Sequence, residues 1–150
     1  PSLFFMFVLG GEDPIDHVQR ETLRSDEALH PLLERIMRIH VTEEARHLSF
    51  ARHYLLRTVP ELSGWRKVAL AVGCPLLLGQ MAQLMLKPSP QIVQSHQIPD
   101  EVIRTAYTDN AAHHAETIAS LKKVRDLCGE LGLMRRPFPR LWNALGLTAR

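Results

Sequence analysis

The sequence predicts an all-α protein. Apolar residues recur at helical spacing over long segments, and no stretch of any length shows the alternation of a strand. The chain contains no internal repeat and no low-complexity tract. With 150 residues, of which 45% are hydrophobic, it is expected to form a single helical domain over residues 1–150 with a real core.

Charge and cysteine usage exclude some classes of protein. The formal net charge is +2, and the Lys and Arg residues are scattered, so no nucleic-acid partner is expected. Cys74 and Cys128 match no metal-binding spacing and are interpreted as buried free thiols of a reducing cytosol, in preference to a disulfide. We therefore expect a cytoplasmic protein.

The first two predicted helices are long. One runs from Phe4 to Leu23, either kinked around Gly10, Gly11 and Pro14 or broken there with a restart at Asp13. A connection from Ser25 to Pro31 leads to a second helix, Leu32 to Thr58. We expect these helices to pack antiparallel at bundle angles. The apolar start carries neither a basic region nor a cap, so we expect a fragment and no secretory signal.

The rest of the chain is also predicted to be helical. Two shorter helices, about Trp65 to Gly73 and Pro75 to Leu86, precede a Pro-punctuated linker, and a last long helix runs from about Asp100 to Leu131. The tail "RRPFPRLWNALGL" is expected to dock on the body through its aromatic and Leu side chains.

The apolar stretch from residue 68 to residue 86 approaches membrane-spanning length. Gly73, Pro75, Gly79, Gln80 and Gln83 interrupt it, which favours a buried helical hairpin over a span. No membrane partner is therefore expected.

The segment "HVTEEARH", residues 40–47, places polar side chains on a predicted core face. At about 100° per residue, His40, Glu44 and His47 fall within an arc of roughly 60°. Apolar residues continue the same stripe on both sides: Leu32, Leu33 and Ile36 before it, Ala51 and Leu55 after it. Burying a carboxylate between two imidazoles is costly unless something pairs with it, and a divalent metal would satisfy all three groups.

The spacing of these residues favours a di-iron site. Glu44 and His47 form E-x-x-H, the pair by which helical bundles present a carboxylate and an imidazole to one metal centre, and His40 adds a donor one turn earlier. The H-E-x-x-H of zinc proteases is absent. A neighbouring antiparallel helix would supply another carboxylate roughly thirty positions upstream, and Glu12 lies 32 positions before Glu44. Asp13 is the alternative to Glu12, and Asp16 and Gln19 are predicted to orient the ligands.

Nearby polar residues have plainer interpretations. Glu43 is expected to be solvated, although it rivals Glu44, and Arg46 is expected to pair with a carboxylate. A second cluster at His113, His114 and Glu116 lacks the E-x-x-H register and is less favoured as a metal site. Four further histidines are interpreted as surface or capping residues: His17, His30, His53 and His96.

Residues 10–52, "GGEDPIDHVQRETLRSDEALHPLLERIMRIHVTEEARHLSFAR", resemble the second half of the ferritin-like bundle in the p-aminobenzoate N-oxygenase family of di-iron proteins. The remaining hundred or so residues resemble the C-terminal region of that family. The resemblance implies that Glu12, His40, Glu44 and His47 are iron ligands, the extra histidine of the family matching His40. The family's first ligand pair would precede Pro1, so we expect about half of the ligand set and a C-terminal fragment of a larger oxygenase.

The function implied by the resemblance is oxygenation. The complete protein would activate dioxygen at a di-iron centre and oxygenate a small organic substrate, such as an arylamine nitrogen, with electrons from a separate donor. No catalytic residue beyond the metal ligands is expected. The alternative is a non-catalytic iron-binding helical module, in which two half-sites meet in a symmetric homodimer. A membrane-associated helical protein ranks third.

Overall fold

The computed structural model describes residues 1–26 and 28–148, and within these ranges the chain is helical with no strand. Glu27, in the predicted connection, and residues 149 and 150, in the predicted domain, lie outside the described residues. The prediction of an all-α protein is confirmed. The helices are α1 (Ser2–Arg24), α2 (Pro31–Thr58), α3 (Gly64–Met85), α4 (Pro90–Ser95), α5 (Asp100–Ile103), α6 (Ala111–Ser120), α7 (Lys122–Glu130) and α8 (Pro139–Ala144). A short 3₁₀-helix, Val59–Glu61, follows α2, and a π-helix, Arg104–Thr108, follows α5.

Helix α1 is continuous, so the alternative of a break with a restart at Asp13 is wrong. Pro14 lies inside the helix and is buried. An interior proline costs about 3 kcal/mol in lost hydrogen bonding and steric conflict. Packing of α1 on α2 both before and after Pro14 offsets that cost, because Phe5 contacts Tyr54 with ring centroids 4.3 Å apart and Gln19 contacts His40.

Helix α2 begins where the sequence predicts. The His30 side chain accepts a hydrogen bond from the backbone N–H of Leu32, and Pro31 occupies the first helical position. His30 is therefore a capping residue, as expected. The contacts of Phe5 with Tyr54, Glu12 with His47 and Gln19 with His40 run in opposite directions along the two helices. Helices α1 and α2 are thus antiparallel, as predicted.

The prediction of two short helices between Trp65 and Leu86 is wrong, because α3 runs unbroken through Gly73 and Pro75. Buried neighbours hold Pro75 in place, and α3 supplies much of the core, including Leu70, Ala71, Cys74, Leu78 and Ala82. Segment Gly64–Ser95 is long and apolar enough to cross a membrane by length and composition alone, although a core helix passes the same test.

The prediction of one long helix from Asp100 to Leu131 is also wrong. The π-helix ends at Thr108, and Asn110 caps α6, since its side-chain oxygen accepts hydrogen bonds from the N–H groups of Ala112 and His113. The chain turns again at Leu121, which is fully buried between α6 and α7. The run "TDN" before α6 is a helix-start signal that the periodicity masks.

The core lies where α1, α2, α3 and α7 meet, and the tail covers one end of it. Trp142 and Leu147 are buried, which confirms that the tail docks on the body. Cys74 and Cys128 are buried free thiols, as predicted. A hydrogen bond between these thiols, together with burial, raises the pKa of Cys128, so the pair joins α3 to α7 as core residues.

The stripe on α2 is only partly a core face. Ala51 and Leu55 are completely buried, but Leu32, Leu33 and Ile36 are exposed, so the prediction is wrong for the first half of the helix. Within the described chain, α1 packs on one side of α2, and no element covers the side that carries Leu32, Leu33 and Ile36.

Candidate metal centre

The antiparallel pairing of α1 and α2 brings the four predicted ligands together as two pairs. His40 Nδ1 lies 3.3 Å from Glu44 Oε1, one turn along the same helix. His47 Nδ1 lies 3.6 Å from Oε1 of Glu12, across the interface between the helices. Helical periodicity places Glu44 on the side of α2 that faces α1. It places His40 and His47 next to Glu44 on the same helix.

Both carboxylates are unsatisfied. Glu44 is 5% exposed, and its Oε2 atom and that of Glu12 are buried without a hydrogen-bond partner among the described residues. Buried polar atoms are nearly always hydrogen-bonded in proteins, so an orphaned carboxylate oxygen calls for an explanation such as an ion. Both oxygens belong to residues that the sequence predicts as metal ligands.

Burial dominates the electrostatics of Glu44. It raises the pKa of the carboxyl; the neighbouring His40 opposes the shift and the negative charge of Glu12 adds to it. More weakly, the charge of Asp16 also raises the pKa of Glu44 and the charge of His47 lowers it. A cation beside Glu12 and Glu44 would reverse this balance and favour the ionised form of both acids.

The two histidines are open to solvent. The side chain of His40 is 47% exposed and that of His47 is 63% exposed. The centre thus has a buried carboxylate side, formed where α1 meets α2, and an uncovered imidazole side. The sequence predicted burial for all three residues of the motif, which is correct only for Glu44, since no described element covers the outer side of α2.

The four side chains do not converge on one point. In the part of the chain that the structure describes, no three His, Cys, Asp or Glu side chains form a group able to hold a metal ion. The assignment of Glu12, His40, Glu44 and His47 as ligands therefore stays a prediction. Their chemistry nonetheless fits iron, since carboxylate oxygens and imidazoles are the donors of di-iron bundles, and both orphaned oxygens lie among them.

Asp13, the alternative to Glu12, faces a different cavity. It is 5% exposed and lies near Lys123 and Arg52 in a cavity of about 480 Å³ between α1, α2 and α7. Burial raises its pKa to about 6, while Lys123 and Arg52 act in the opposite direction. The structure thus separates Asp13 from the pair formed by Glu12 and His47.

Asp16 anchors an ion-pair network beside the centre. It is completely buried and accepts hydrogen bonds from Nε of Arg20 at 2.8 and 2.9 Å and from Nζ of Lys123 at 2.9 Å. Burial alone would raise the pKa of Asp16, but these hydrogen bonds outweigh burial and hold the pKa below its usual value. The sequence predicted a supporting role for Asp16 but missed both partners. The i,i+4 spacing to Arg20 was a usable signal, whereas Lys123 comes from a distant helix.

The other polar residues singled out in the sequence make contacts of their own outside the centre. Arg46 Nη1 lies 3.5 Å from Oε2 of Glu43, and both side chains are exposed, as expected. His17 departs from its expected surface or capping role, because its Nε2 lies 2.7 Å from Oε1 of Glu116 and joins α1 to α6. His53 and His96 each contact a backbone carbonyl of their own helix.

The second histidine cluster is structural. His114 Nε2 lies 2.8 Å from the carbonyl oxygen of Thr108, and the ring of His113 meets Tyr107 edge-on at 5.0 Å. His113 and His114 thus close the junction of the π-helix and α6, while Glu116 pairs with His17 of α1. Among the described residues they form no metal-binding group.

Comparison with known proteins decides the family. The model of the family described as P-aminobenzoate N-oxygenase AurF matches residues 1–132. The chain belongs to this family. The matched span includes α1 and α2 with all four predicted ligands, and ends just after α7.

Curated relatives of this AurF-family chain come from mycobacteria. An uncharacterized protein of Mycobacterium tuberculosis (strain CDC 1551 / Oshkosh) is 36% identical over 141 residues, which cover 94% of this chain and 41% of the relative. An uncharacterized protein of Mycobacterium bovis (strain ATCC BAA-935 / AF2122/97) shows the same identity and coverage. The chain thus spans about two fifths of the length of these relatives. No solved structure matches the chain.

Proposed function

We propose that this chain is the part of a di-iron oxygenase that contributes Glu12, His40, Glu44 and His47 to the metal centre. The observation that carries the proposal is the pair of buried, unpartnered carboxylate oxygens on facing helices, each in a residue whose other oxygen faces a histidine. Membership of the AurF family supports iron as the metal.

The family description supports an arylamine as the proposed substrate. An arylamine nitrogen is the atom that a p-aminobenzoate N-oxygenase oxidises. Conversion of an amine to a hydroxylamine consumes one dioxygen, two protons and two electrons, and it releases water. A separate reductant is therefore a partner in the proposed reaction, together with dioxygen and the small organic substrate.

The metal and the side chains would have separate roles in the proposed reaction. Bound iron would supply dioxygen activation and electron transfer. Glu12 and Glu44 would provide anionic oxygens from the buried side, and His40 and His47 would provide neutral nitrogens from the open side. The network of Asp16, Arg20 and Lys123 keeps α1 and α7 fixed behind the carboxylates.

The longer protein is proposed to cover the open side of the centre. Exposed apolar residues continue along α2 on the same face as His40 and His47: Leu32, Leu33, Ile36, Ile39 and Phe50. In a ferritin-like bundle a second helix pair with its own ligands would cover such a face. We propose that the longer protein supplies this pair, because the chain spans only 41% of its relatives.

The test uses the full-length protein loaded with ferrous iron. The expected result is a carboxylate-bridged di-iron spectrum and reductant-dependent oxidation of an arylamine by dioxygen. Stoichiometric zinc binding without oxygen reactivity in iron-loaded samples would instead indicate a different metal function. The same reaction without reductant is the control, and it should stop after the electrons stored in the protein are spent.

A symmetric iron-binding homodimer is the second candidate, and the same exposed stripe on α2 favours it. A second copy of the chain could cover Ile36, Ile39 and Phe50 and complete the ligand set by two-fold symmetry. Size-exclusion chromatography with and without ferrous iron distinguishes the homodimer from the oxygenase. Dimers that form only with iron and do not oxygenate arylamines would favour the iron-binding homodimer. An elution volume that does not change with iron would favour the oxygenase.

A further inference from the structure

The cavity between α1, α2 and α7 contains none of the four predicted metal ligands among its lining residues. Its volume of about 480 Å³ is in the range of sites that bind small molecules. Asp13 and Asp16 of α1 line its inner part and are buried, whereas Ser49 and His53 line its outer part and are exposed. The cavity therefore opens from solvent onto two buried carboxylates.

The two carboxylates differ in their partners. Asp16 accepts hydrogen bonds from Arg20 and Lys123. Among the described residues no hydrogen bond ends on Asp13, although this residue is only 5% exposed. Buried carboxylates nearly always accept hydrogen bonds, so a buried acid that lines a cavity without a partner is expected to bind a donor inside that cavity. Asp13 thus supplies an open acceptor for a ligand.

Donors with unused capacity line the same cavity. Arg52 bonds to Glu130 through Nη2, and its Nε and Nη1 atoms make no hydrogen bond to a described residue. The lining contains three basic and three acidic side chains: Arg20, Arg52, Lys123, Asp13, Asp16 and Asp126. Because these charges balance, neither a simple cation nor a simple anion matches the cavity. A molecule that carries both kinds of group does.

We propose that this cavity binds a small organic molecule with an amino group and a carboxylate, the two groups of an amino acid. The amino group donates hydrogen bonds to Asp13, and the carboxylate accepts them from Arg52. Hydrogen bonds between charged groups are about twice as strong as those between neutral groups. Leu48 and Leu127 line the cavity as well and contact the carbon chain between the two ends. This binding function needs no iron and goes beyond the proposed oxygenase reaction.

A series of unbranched amino acids, from glycine to ε-aminocaproate, provides the probes. The series varies the separation between the amino group and the carboxylate, so that one member matches the separation between Asp13 and Arg52. Butyrate and butylamine are the controls, because each lacks one of the two groups of γ-aminobutyrate. Binding to the full-length protein is measured by isothermal titration calorimetry without metal, so that no ligand binds through iron.

Two variants test the two ends of the ligand. Asp13→Asn keeps the size of the side chain and removes its charge, and Arg52→Gln removes the guanidinium. Their matched controls are Asp100→Asn and Arg57→Gln, which change exposed residues away from the cavity. At least one amino acid of the series should bind to the unmodified protein and to both controls. Its affinity should fall by about 10-fold or more in Asp13→Asn and in Arg52→Gln.

The inference is overturned if no member of the series binds to the unmodified protein, since the cavity then holds only water. It is also overturned if butylamine or butyrate binds as tightly as the best amino acid, or if both cavity variants bind that amino acid with unchanged affinity. Circular dichroism melting checks that the variants are folded. If Asp13→Asn does not fold, Arg52→Gln decides the outcome, because Arg52 is only partly buried.

Discussion

Adjacent acids on α1 have different surroundings. Glu12 faces His47 on α2, whereas Asp13 faces the cavity near Lys123 and Arg52. The sequence could predict Glu12 as the ligand, and Asp13 as the alternative, from the distance to Glu44 along an antiparallel pair. It could not separate them, because a difference of one residue is a rotation of about 100° that depends on how α1 packs.

Asp13 should make the stability of the metal-free protein depend on pH. Burial raises its pKa from 3.8 to about 6, so the folded state holds its proton more tightly than the unfolded state. This contribution to stability is fully present below pH 3.8 and is lost as the pH rises through about 6. The loss amounts to at most about 3 kcal/mol.

The substitution Asp13→Asn should remove that dependence. The free energy of unfolding of both proteins is measured with urea at about pH 4.5 and about pH 7.5, which lie below and above the shifted pKa of Asp13. The variant should gain stability relative to the unmodified protein between these two pH values, by about 2 kcal/mol. The same substitution at the exposed Asp100 is the control. A difference between variant and unmodified protein that stays constant with pH contradicts the assignment.

Helix lengths show where periodicity succeeds and where it fails. Helices α1 and α2 could be predicted to within a residue or two. For α2 a cap and a proline at N1 agree with the apolar stripe, whereas α1 was predicted from its apolar pattern without a cap. Helix α3 was divided at Pro75 in the prediction, since the packing that stabilises a buried proline is a tertiary effect. From Asp100 to Leu131 the prediction instead joined separate helices into one, because the Asn110 cap lies within a continuous helical pattern.

The contact between α1 and α3 depends on a small residue. A Cβ atom at Gly10 would lie 2.6 Å from Cδ2 of Leu78 and 3.3 Å from Sδ of Met81, and both side chains are buried. Gly10→Ala should therefore destabilise the protein by about 1 kcal/mol, since overpacking outweighs the gain in helix propensity. Thermal or urea unfolding measures this change.

Gly129→Ala is the matched control for Gly10. Gly129 lies in α7, and no atom lies within 4 Å of a Cβ built there. This variant should be stabilised by about 0.5–1 kcal/mol through helix propensity alone. Equal stabilisation of both variants would mean that α1 and α3 do not approach each other as closely as described.

At the scale of the whole molecule, burial is uneven. The core of α1, α2, α3, α7 and the tail is closed, whereas the side of α2 that carries His40 and His47 is uncovered. The sequence predicted the ligand face of α2 but not its exposure, because helical spacing identifies an apolar face and does not identify the element that covers it. The proposed second helix pair would bury that face in the longer protein.

The central claim is that Glu12, His40, Glu44 and His47 form half of a di-iron centre, and iron uptake by the full-length protein tests it most directly. Bound ferrous iron is quantified for the unmodified protein and for Glu44→Ala, His47→Ala and Glu43→Ala. Glu43 is the matched control, since it neighbours Glu44 but is exposed and paired with Arg46. Circular dichroism melting confirms that each variant is folded.

We expect the unmodified protein and Glu43→Ala to bind iron equally, and Glu44→Ala and His47→Ala to lose most of it. The reason is that Glu44 brings an unpartnered buried oxygen to the centre and His47 lies beside the carboxylate of Glu12. If Glu44→Ala and His47→Ala both bind iron as well as the unmodified protein, the four residues are not a metal site and the di-iron account is wrong.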